Sequence, residues 1–139
     1  MPWLYKIKAT AFFIKKDDLF IRDTKIEAIG KTETDDVDSY EVIDAENQLI
    51  MPGLINSHTH AYMNFMKNSA DDVPFDTWLF KRIFPIEAKM EKPDFYWTTL
   101  FGIIEMIKTG TTTFNDHYWH MPMGHKAAIE LGLRPVLAY

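Results

Sequence analysis

The order of strand-like and helix-like segments after Gly53 constrains the fold of this chain more than any other feature. The apolar run that follows Gly53 predicts a strand, and Thr111–Phe114 and Leu133–Tyr139 predict two more. Between them, the sequence predicts a helix from Pro93 to Gly110 and another within Gly124–Gly132. Strands that alternate with helices in this way form βαβ units, in which the strands are parallel. A parallel sheet must be covered on both faces or closed into a barrel.

Three strands are too few to close a barrel. The sequence also ends at Tyr139, inside an apolar run and without a polar tail. We therefore expect the chain to be the N-terminal part of a longer protein, whose remainder completes the sheet. The less favoured alternative is a complete small domain.

The clearest helical pattern begins at Pro93. Pro93 suits the first turn, Asp94 suits the positive end of the helix dipole, and Gly110 supplies the C-terminal stop. One apolar stripe predicts the buried face, and it consists of Leu100, Ile103, Ile104 and Ile107. Upstream, residues 79–92 have a helical composition, but Pro85 must end or kink a helix there.

Residues 1–52 predict a small β domain. Apolar and polar residues alternate over Tyr5–Ala11, as in a half-buried strand, and residues 15–18 predict a turn. Two further strands flank a turn at Asp23–Thr24, and two short strands flank residues 45–47. We expect an antiparallel sheet, too thin to form a complete sandwich alone.

Composition excludes several classes of function. The 139 residues carry a net charge of −5 with scattered Lys and Arg, which argues against nucleic acid as a partner. The absence of cysteine excludes a disulfide framework and a thiolate metal site. No signal-peptide pattern and no bilayer-spanning apolar run is present in the sequence, so we expect no membrane partner and a cytoplasmic location.

His58 and His60 form the most informative pair of polar residues. If Leu54–His60 is a strand, both imidazoles point to the same side, with Cα atoms about 7 Å apart, and can converge on one cation. Catalytic zinc needs three protein ligands, so the pair alone also fits a structural or surface role. Its position at a strand end favours the metal, because catalytic groups in parallel α/β barrels gather at the C-terminal ends of strands.

Two longer segments place the pair in a family context. "MPGLINSHTHAYMNFMKNSADDVPFDTWLFKRIFPIE" and "GIIEMIKTGTTTFNDHY" resemble the N-terminal part of the amidohydrolase superfamily. Within it, they are most similar to the methylthioadenosine/S-adenosylhomocysteine deaminase and chlorohydrolase-like group. The resemblance implies an α/β fold in which residues 53–139 form the first three βα units of a TIM-type (β/α)8 barrel. Residues 1–52 would form the N-terminal half of a composite β-sandwich domain.

The resemblance also implies an activity. His58 and His60 become ligands of one divalent metal ion, zinc or alternatively iron, which activates water to displace an amino group from a nucleoside such as S-adenosylhomocysteine or methylthioadenosine. The family's other metal ligands and its proton-transferring residues would follow Tyr139, so we assign no catalytic residue within this chain. The resemblance further suggests a homo-oligomer.

Other residues have two interpretations each. Glu87 matches the family glutamate that binds ribose hydroxyls; the alternative is that it is a solvated helix residue. Trp78 matches the family tryptophan that lines the substrate pocket; the alternative is that it is a core residue. His117 and Asn115 follow the second parallel strand and could border the same opening, although a capping or surface role is favoured for His117. We expect His120 and His125 to lie on the surface. Met63 and Met66 are expected to line an apolar wall.

Two uncertainties concern the substrate and the class of protein. Some nucleoside-deaminating relatives carry an arginine where our register places Tyr139, which leaves the 5′ substituent of the substrate open. A hydrolase of another amino- or halo-substituted heterocycle, such as guanine or a triazine, is the alternative substrate class. A non-catalytic fragment or binding module is the alternative class of protein, and a stop codon directly after Tyr139 would favour it.

Overall fold

The computed structural model describes residues 4–9, 17–30 and 41–138 of the chain. These residues belong to two compact units, Met1–Pro52 and Gly53–Tyr139. The first two residues of the predicted turn at residues 15–18 fall outside the described residues, as does Tyr139. No helix in the described ranges is both long enough and apolar enough to cross a membrane.

The first unit contains a four-stranded sheet with the order β3-β2-β1-β4. Its strands are β1 Leu4–Ala9, β2 Asp18–Arg22, β3 Lys25–Ile29 and β4 Glu41–Ala45. Strand β2 pairs antiparallel with both β1 and β3, and the turn between β2 and β3 lies at Asp23–Thr24 as predicted. The strands that the sequence predicted before and after this turn are therefore confirmed.

Two predictions for this unit were wrong. The sheet is mixed, because β4 pairs parallel with β1, with Tyr5 opposite Glu41. Alternation specifies a strand but not the direction of its partner, and the connection after β3 is long enough for a crossover. The second short strand, after residues 45–47, is absent, because residues 48–53 form no strand. Pro52 cannot donate to a ladder there.

The second unit has the predicted alternation of strands and helices. Its strands are β5 Leu54–Thr59, β6 Thr111–His117 and β7 Arg134–Ala138, in the order β5-β6-β7 and all parallel. Its α-helices are α1 Phe84–Glu87, α2 Lys92–Lys108 and α3 Met121–Glu130. A 3-10 helix, Ala61–Met66, follows β5, and a π-helix, Thr77–Ile83, precedes α1. The α/β class is thus confirmed.

Helix α2 begins one residue before, and ends two residues before, the limits that the sequence predicted. Glu91 and Asp94 form a capping box, in which the Glu91 N–H donates to Asp94 Oδ2 at 2.7 Å. Gly110 follows with φ +83°, a conformation that favours glycine, and its N–H bonds the Ile107 carbonyl.

The predicted buried face of α2 was partly wrong. Ile103 is fully buried, but Ile104 and Ile107 are 41% and 44% exposed. The buried side chains of α2 are Phe95, Thr99, Gly102, Ile103 and Met106. The buried face of α2 is thus shifted from the predicted stripe toward Thr99 and Gly102. The reason is that the 3-10 helix packs closely against α2 at Gly102, where Ala61 is its neighbour.

Pro85 changes the helical geometry without ending it. The chain is π-helical up to Ile83 and then forms α1, with Pro85 in its first turn. Pro85 lacks the N–H that would continue the π-helical pattern beyond Phe84, but in the first turn of α1 the missing N–H removes no hydrogen bond within α1 itself. For the same reason, Pro122 fits the first turn of α3, which begins at Met121, three residues earlier than predicted.

Two apolar clusters support the strand ends. Phe114 on β6 is fully buried and packs with residues of both flanking helices, Ile103 on α2 and Ala127 and Ala128 on α3 among them. A second cluster joins the 3-10 helix to the π-helix and α2, and its buried members are Tyr62, Met66, Ile83 and Phe95. The first cluster holds β6 in place, and the second holds the segment that follows β5.

Candidate active site

His58 and His60 lie together at the C-terminal end of β5. His58 is in the strand and His60 directly follows it, and their ring centroids are 5.0 Å apart with the planes 72° to each other. Two imidazoles bound to one tetrahedral zinc ion, with Zn–N bonds of about 2.0–2.1 Å, have ring centroids roughly 5 Å apart. The spacing of the pair therefore fits a shared divalent ion.

Asp116 provides the second observation on which this fit rests. The residue is 2% exposed, and its Oδ2 accepts a hydrogen bond of 3.0 Å from the Ala61 N–H. Its Oδ1 lies 3.6 Å from His60 Nδ1, and neither of these buried atoms has a hydrogen-bond partner among the residues that the structure describes. A carboxylate facing Nδ1 leaves Nε2 of the same imidazole for a metal, the arrangement found around metal-binding histidines. The donor set and its buried neighbour thus suit a metal ion.

Burial also affects the Asp116 carboxyl itself. Desolvation raises its pKa above the usual range, while the hydrogen bond from the Ala61 N–H and the proximity of His60 oppose that shift. A buried carboxylate with one unsatisfied oxygen is stabilised when its histidine neighbour moves into hydrogen-bond distance.

His117 joins this group from β6. Its ring centroid is 5.1 Å from that of His60 and 6.0 Å from that of His58, and its side chain is exposed. The structure places His117 beside the pair, as expected for a residue that borders the same opening, and its exposed side chain also fits the surface role that the sequence favoured. Asn115 lies on the same strand, and its Nδ2 donates to the Ser57 carbonyl at 3.2 Å.

Glu87 ends helix α1 and accepts two hydrogen bonds from tyrosine hydroxyls. Tyr62 and Tyr118 both donate to Glu87 Oε1, and the bond from Tyr118 is 2.8 Å long. The Tyr118 ring also lies 5.1 Å from the ring of His60. Tyr118 therefore connects the histidine pair to the carboxylate, so that Glu87 and His60 belong to one site.

Burial raises the pKa of both tyrosines. For Tyr62, which is fully buried, desolvation is the largest cause, and its hydrogen bonds with Glu87 and Tyr118 act in the same direction. For Tyr118, desolvation again raises the pKa, and the bond with Tyr62 partly offsets it. Both hydroxyls consequently remain protonated donors at neutral pH.

Trp78 lies in the second apolar cluster. It is half-buried on the π-helix and packs against the residues around Tyr62, with its ring 5.7 Å from that of Phe75. Met63 and Met66 belong to the same cluster, consistent with the apolar wall predicted for them. The structure thus places Trp78 in the packing around Tyr62, and among the described residues its side chain makes no hydrogen bond within the site.

The remaining histidines lie on the surface. His120 and His125 are both exposed, as the sequence indicated, and the His120 ring packs against Phe95 at 4.8 Å. Within the ranges that the structure describes, no group of three or more His, Asp or Glu side chains is arranged to hold a metal ion.

Sequence reasoning missed three residues of this site. Asp116 could have been found, because it shares the buried face of β6 with Phe114 while Asn115 and His117 are exposed. An aspartate at a buried position of an apolar strand is itself a functional signal. Tyr62 and Tyr118 carried no comparable signal, because tyrosine is common both in cores and at surfaces.

Comparison with known proteins agrees with this geometry. Residues 49–139 match the model of the amidohydrolase family. A 5′-deoxyadenosine deaminase of Methanocaldococcus jannaschii is 46% identical over 90% of this chain and 30% of its own length. A 5-methylthioadenosine/S-adenosylhomocysteine deaminase of Thermococcus sibiricus is 44% identical over 97% of this chain and 31% of its own length. The chain thus spans about a third of the length of these relatives.

A solved structure is similar as well. The adenosine deaminase of Xanthomonas campestris, determined with bound zinc, superimposes with a TM-score of 0.78 at 25% identity, over 96% of this chain and 33% of that one. The parallel strands, the histidine pair at their ends and the match over residues 49–139 lead to one conclusion. The chain belongs to the amidohydrolase family.

Proposed function

We propose that this chain is the N-terminal part of a metal-dependent aminohydrolase that deaminates an adenosine-type nucleoside. In this proposal, β5, β6 and β7 are the first three strands of a (β/α)8 barrel, and residues 1–52 are part of a composite β-sandwich domain. His58 and His60 are two ligands of one divalent ion, zinc, and the other ligands come from later in the protein. We also propose that the whole enzyme is a homo-oligomer.

One observation carries the metal assignment. The rings of His58 and His60 converge at 5.0 Å at the C-terminal end of β5, and the buried Asp116 faces His60 Nδ1 with an unsatisfied oxygen. An isolated surface pair would not need a buried carboxylate behind it, since burying an unpaired charge is costly. Zinc bound in the solved adenosine deaminase adds support.

The substrate class follows from the named relatives. The two curated relatives described above are named as deaminases of 5′-deoxyadenosine and of methylthioadenosine and S-adenosylhomocysteine, at 46% and 44% identity. Glu87 supports the same class, because a carboxylate connected to the histidine pair through Tyr118 can accept hydrogen bonds from the two hydroxyls of a ribose. Trp78 is proposed to line the apolar wall of the same pocket.

The residues of this chain have definite tasks in such a reaction. A bound divalent ion supplies a water molecule of lowered pKa as the nucleophile. His58 and His60 offer neutral imidazole nitrogens to hold that ion, and Asp116 fixes the tautomer of His60. Glu87 orients the nucleoside through its sugar, so that its base lies toward the histidines. Proton transfer to the departing amine is left to residues that follow Tyr139.

Metal content tests the first half of the proposal. In the full-length protein, we expect about one zinc ion per chain by elemental analysis, and H58A and H60A should each lose most of it. H125A is the matched control, because His125 is exposed on α3 and away from the strand ends. Zinc retained in both H58A and H60A would overturn the assignment.

Ammonia release tests the second half. We expect the full-length protein to release ammonia from S-adenosylhomocysteine, methylthioadenosine or 5′-deoxyadenosine, and not from guanine or triazines. Activity on guanine or a triazine alone would support the alternative substrate class. The 139-residue chain by itself should retain little zinc and release no ammonia. Stoichiometric zinc together with ammonia release from that chain would contradict the proposal that the other metal ligands come from later in the protein.

A further inference from the structure

Glu87 is held by two hydroxyls that reach the same oxygen. Tyr62 comes from the 3-10 helix after β5, and Tyr118 directly follows β6, yet both donate to Glu87 Oε1. The two tyrosine rings lie 4.6 Å apart with their planes 31° to each other. Three separate elements of the fold therefore meet at one carboxylate oxygen.

This arrangement leaves the second oxygen available. Both hydrogen bonds that the described residues make to Glu87 reach Oε1, and none of them reaches Oε2. A carboxylate oxygen can accept two hydrogen bonds, so Oε2 has the capacity to bind two neighbouring hydroxyls. Glu87 also lines an open cavity of about 390 Å³ together with Phe95 and His120.

The two donors also restrict where that oxygen points. A glutamate at the end of a four-residue helix has three rotatable side-chain bonds, and ordering them costs conformational entropy. Tyr62 is fully buried and cannot move without disturbing the apolar cluster around it. Tyr118 packs against the His60 ring at 5.1 Å, so its hydroxyl sets the position of Glu87 relative to the histidine pair.

We propose that Tyr62 and Tyr118 are positioning residues that hold Glu87 for recognition of a vicinal diol, the 2′- and 3′-hydroxyls of ribose. This inference rests on the proposed function and deepens it. The tyrosines touch the carboxylate rather than the substrate. Their removal should therefore weaken discrimination between a ribonucleoside and its 2′-deoxy counterpart, which lacks one of the two hydroxyls.

The experiment compares Y118F and Y62F with wild type in the full-length enzyme. The measured quantity is kcat/KM for an adenosine-type ribonucleoside divided by kcat/KM for its 2′-deoxy form. We expect each variant to lower this ratio about tenfold, the effect of losing a hydrogen bond to a charged group. The loss should appear mainly in KM for the ribonucleoside, with the 2′-deoxy reaction changed by less than about threefold.

Two further variants separate positioning from a structural role. Y96F removes another tyrosine–carboxylate hydrogen bond, from Tyr96 to Glu130 Oε2 at 2.6 Å, which joins α2 to α3 away from the strand ends. It should leave the ratio unchanged. E87Q should itself lower the ratio, and adding Y118F to E87Q should change it by less than about twofold, since coupled residues are not additive.

The outcomes distinguish this inference from the proposed function. If wild type deaminates adenosine-type nucleosides but Y118F and Y62F slow both forms of the substrate equally, the tyrosines are structural and the inference is wrong. The inference also fails if the ratio does not change. If wild type releases no ammonia from any adenosine-type nucleoside, the proposed function fails first and the diol assignment fails with it.

Discussion

Gly102 is the position at which a single methyl group should disturb the candidate metal site from a distance. A Cβ added to Gly102 would lie 2.3 Å from the carbonyl oxygen of Ala61, where ordinary contacts begin near 3.4 Å. Ala61 directly follows His60, and its N–H donates to Asp116. We therefore expect G102A to push the 3-10 helix away from α2 by about 1 Å and to weaken the Ala61–Asp116 bond.

The sign of the effect depends on three magnitudes. Alanine in a helix is favoured over glycine by about 0.8–1.0 kcal/mol. Overpacking a well-filled interior costs about 1–3 kcal/mol. Weakening a hydrogen bond to a buried carboxylate costs about 1.5–3 kcal/mol more. The costs exceed the gain, so G102A should lower the free energy of unfolding by about 2 kcal/mol or more.

Gly124 provides a matched control. It is also buried in a helix, but a Cβ there would meet its nearest neighbour, Thr99 Cγ2, at 3.7 Å, which is an ordinary contact. G124A should therefore raise the free energy of unfolding by up to about 1 kcal/mol, because only the gain in helix propensity remains.

The assay measures urea unfolding and zinc content of the full-length variants. G102A should be less stable than wild type and should hold zinc more weakly, whereas G124A should be more stable with zinc unchanged. Stabilisation of both variants would refute the packing argument. A destabilised G102A that binds zinc as tightly as wild type would refute the coupling between α2 and His60.

Three more predictions concern Asp116, Tyr62 and the capping box of α2. D116N should lower the zinc affinity about 10–100-fold, measured by competition with a chelator, because the group facing His60 Nδ1 loses its charge. Because burial raises the pKa of Tyr62, its contribution to the free energy of unfolding should be fully present below about pH 10 and should fall by about 1.4 kcal/mol per pH unit above that value. Y62F should lessen this slope in urea unfolding at about pH 9–11. D94A should cost about 0.5–2 kcal/mol of unfolding free energy, because the Glu91 N–H loses its acceptor.

Each of these predictions has its own control. Zinc affinity unchanged in D116N would show that the carboxylate does not orient the histidine. An alkaline slope that is identical in Y62F and wild type would assign the loss of stability to other groups. For D94A, substitution of the exposed Lys92 in the same turn should have a much smaller effect, and equal effects would contradict the capping box.

The sequence predicted the parts of this molecule that depend on local pattern. Period-two alternation identified β1, the turn signal at Asp23–Thr24 separated β2 from β3, and the helix signals at Pro93 and Gly110 gave the ends of α2 to within two residues. The proximity of His58 to His60 followed from the same period. These features are set within a few residues of one another, so a pattern is sufficient to find them.

The rest depends on contacts between distant segments. The parallel pairing of β4 with β1 and the rotation of α2 toward Gly102 are decided by what each element packs against. Asp116 meets His60 only because β6 pairs with β5, and no local pattern reports that pairing. Composition and periodicity describe one element at a time, whereas the site is assembled from four.

The parallel sheet of the second unit has a consequence for work with the 139-residue chain. Among the described residues, β5 and β7 each pair on one side only, with β6. Ile55 on β5 is 72% exposed and Val136 on β7 is 59% exposed. Apolar edge strands with unpaired backbone groups act as templates for other chains. The isolated polypeptide should therefore aggregate edge to edge as its concentration rises, and dilute samples or a charged substitution at Ile55 or Val136 should keep it monomeric.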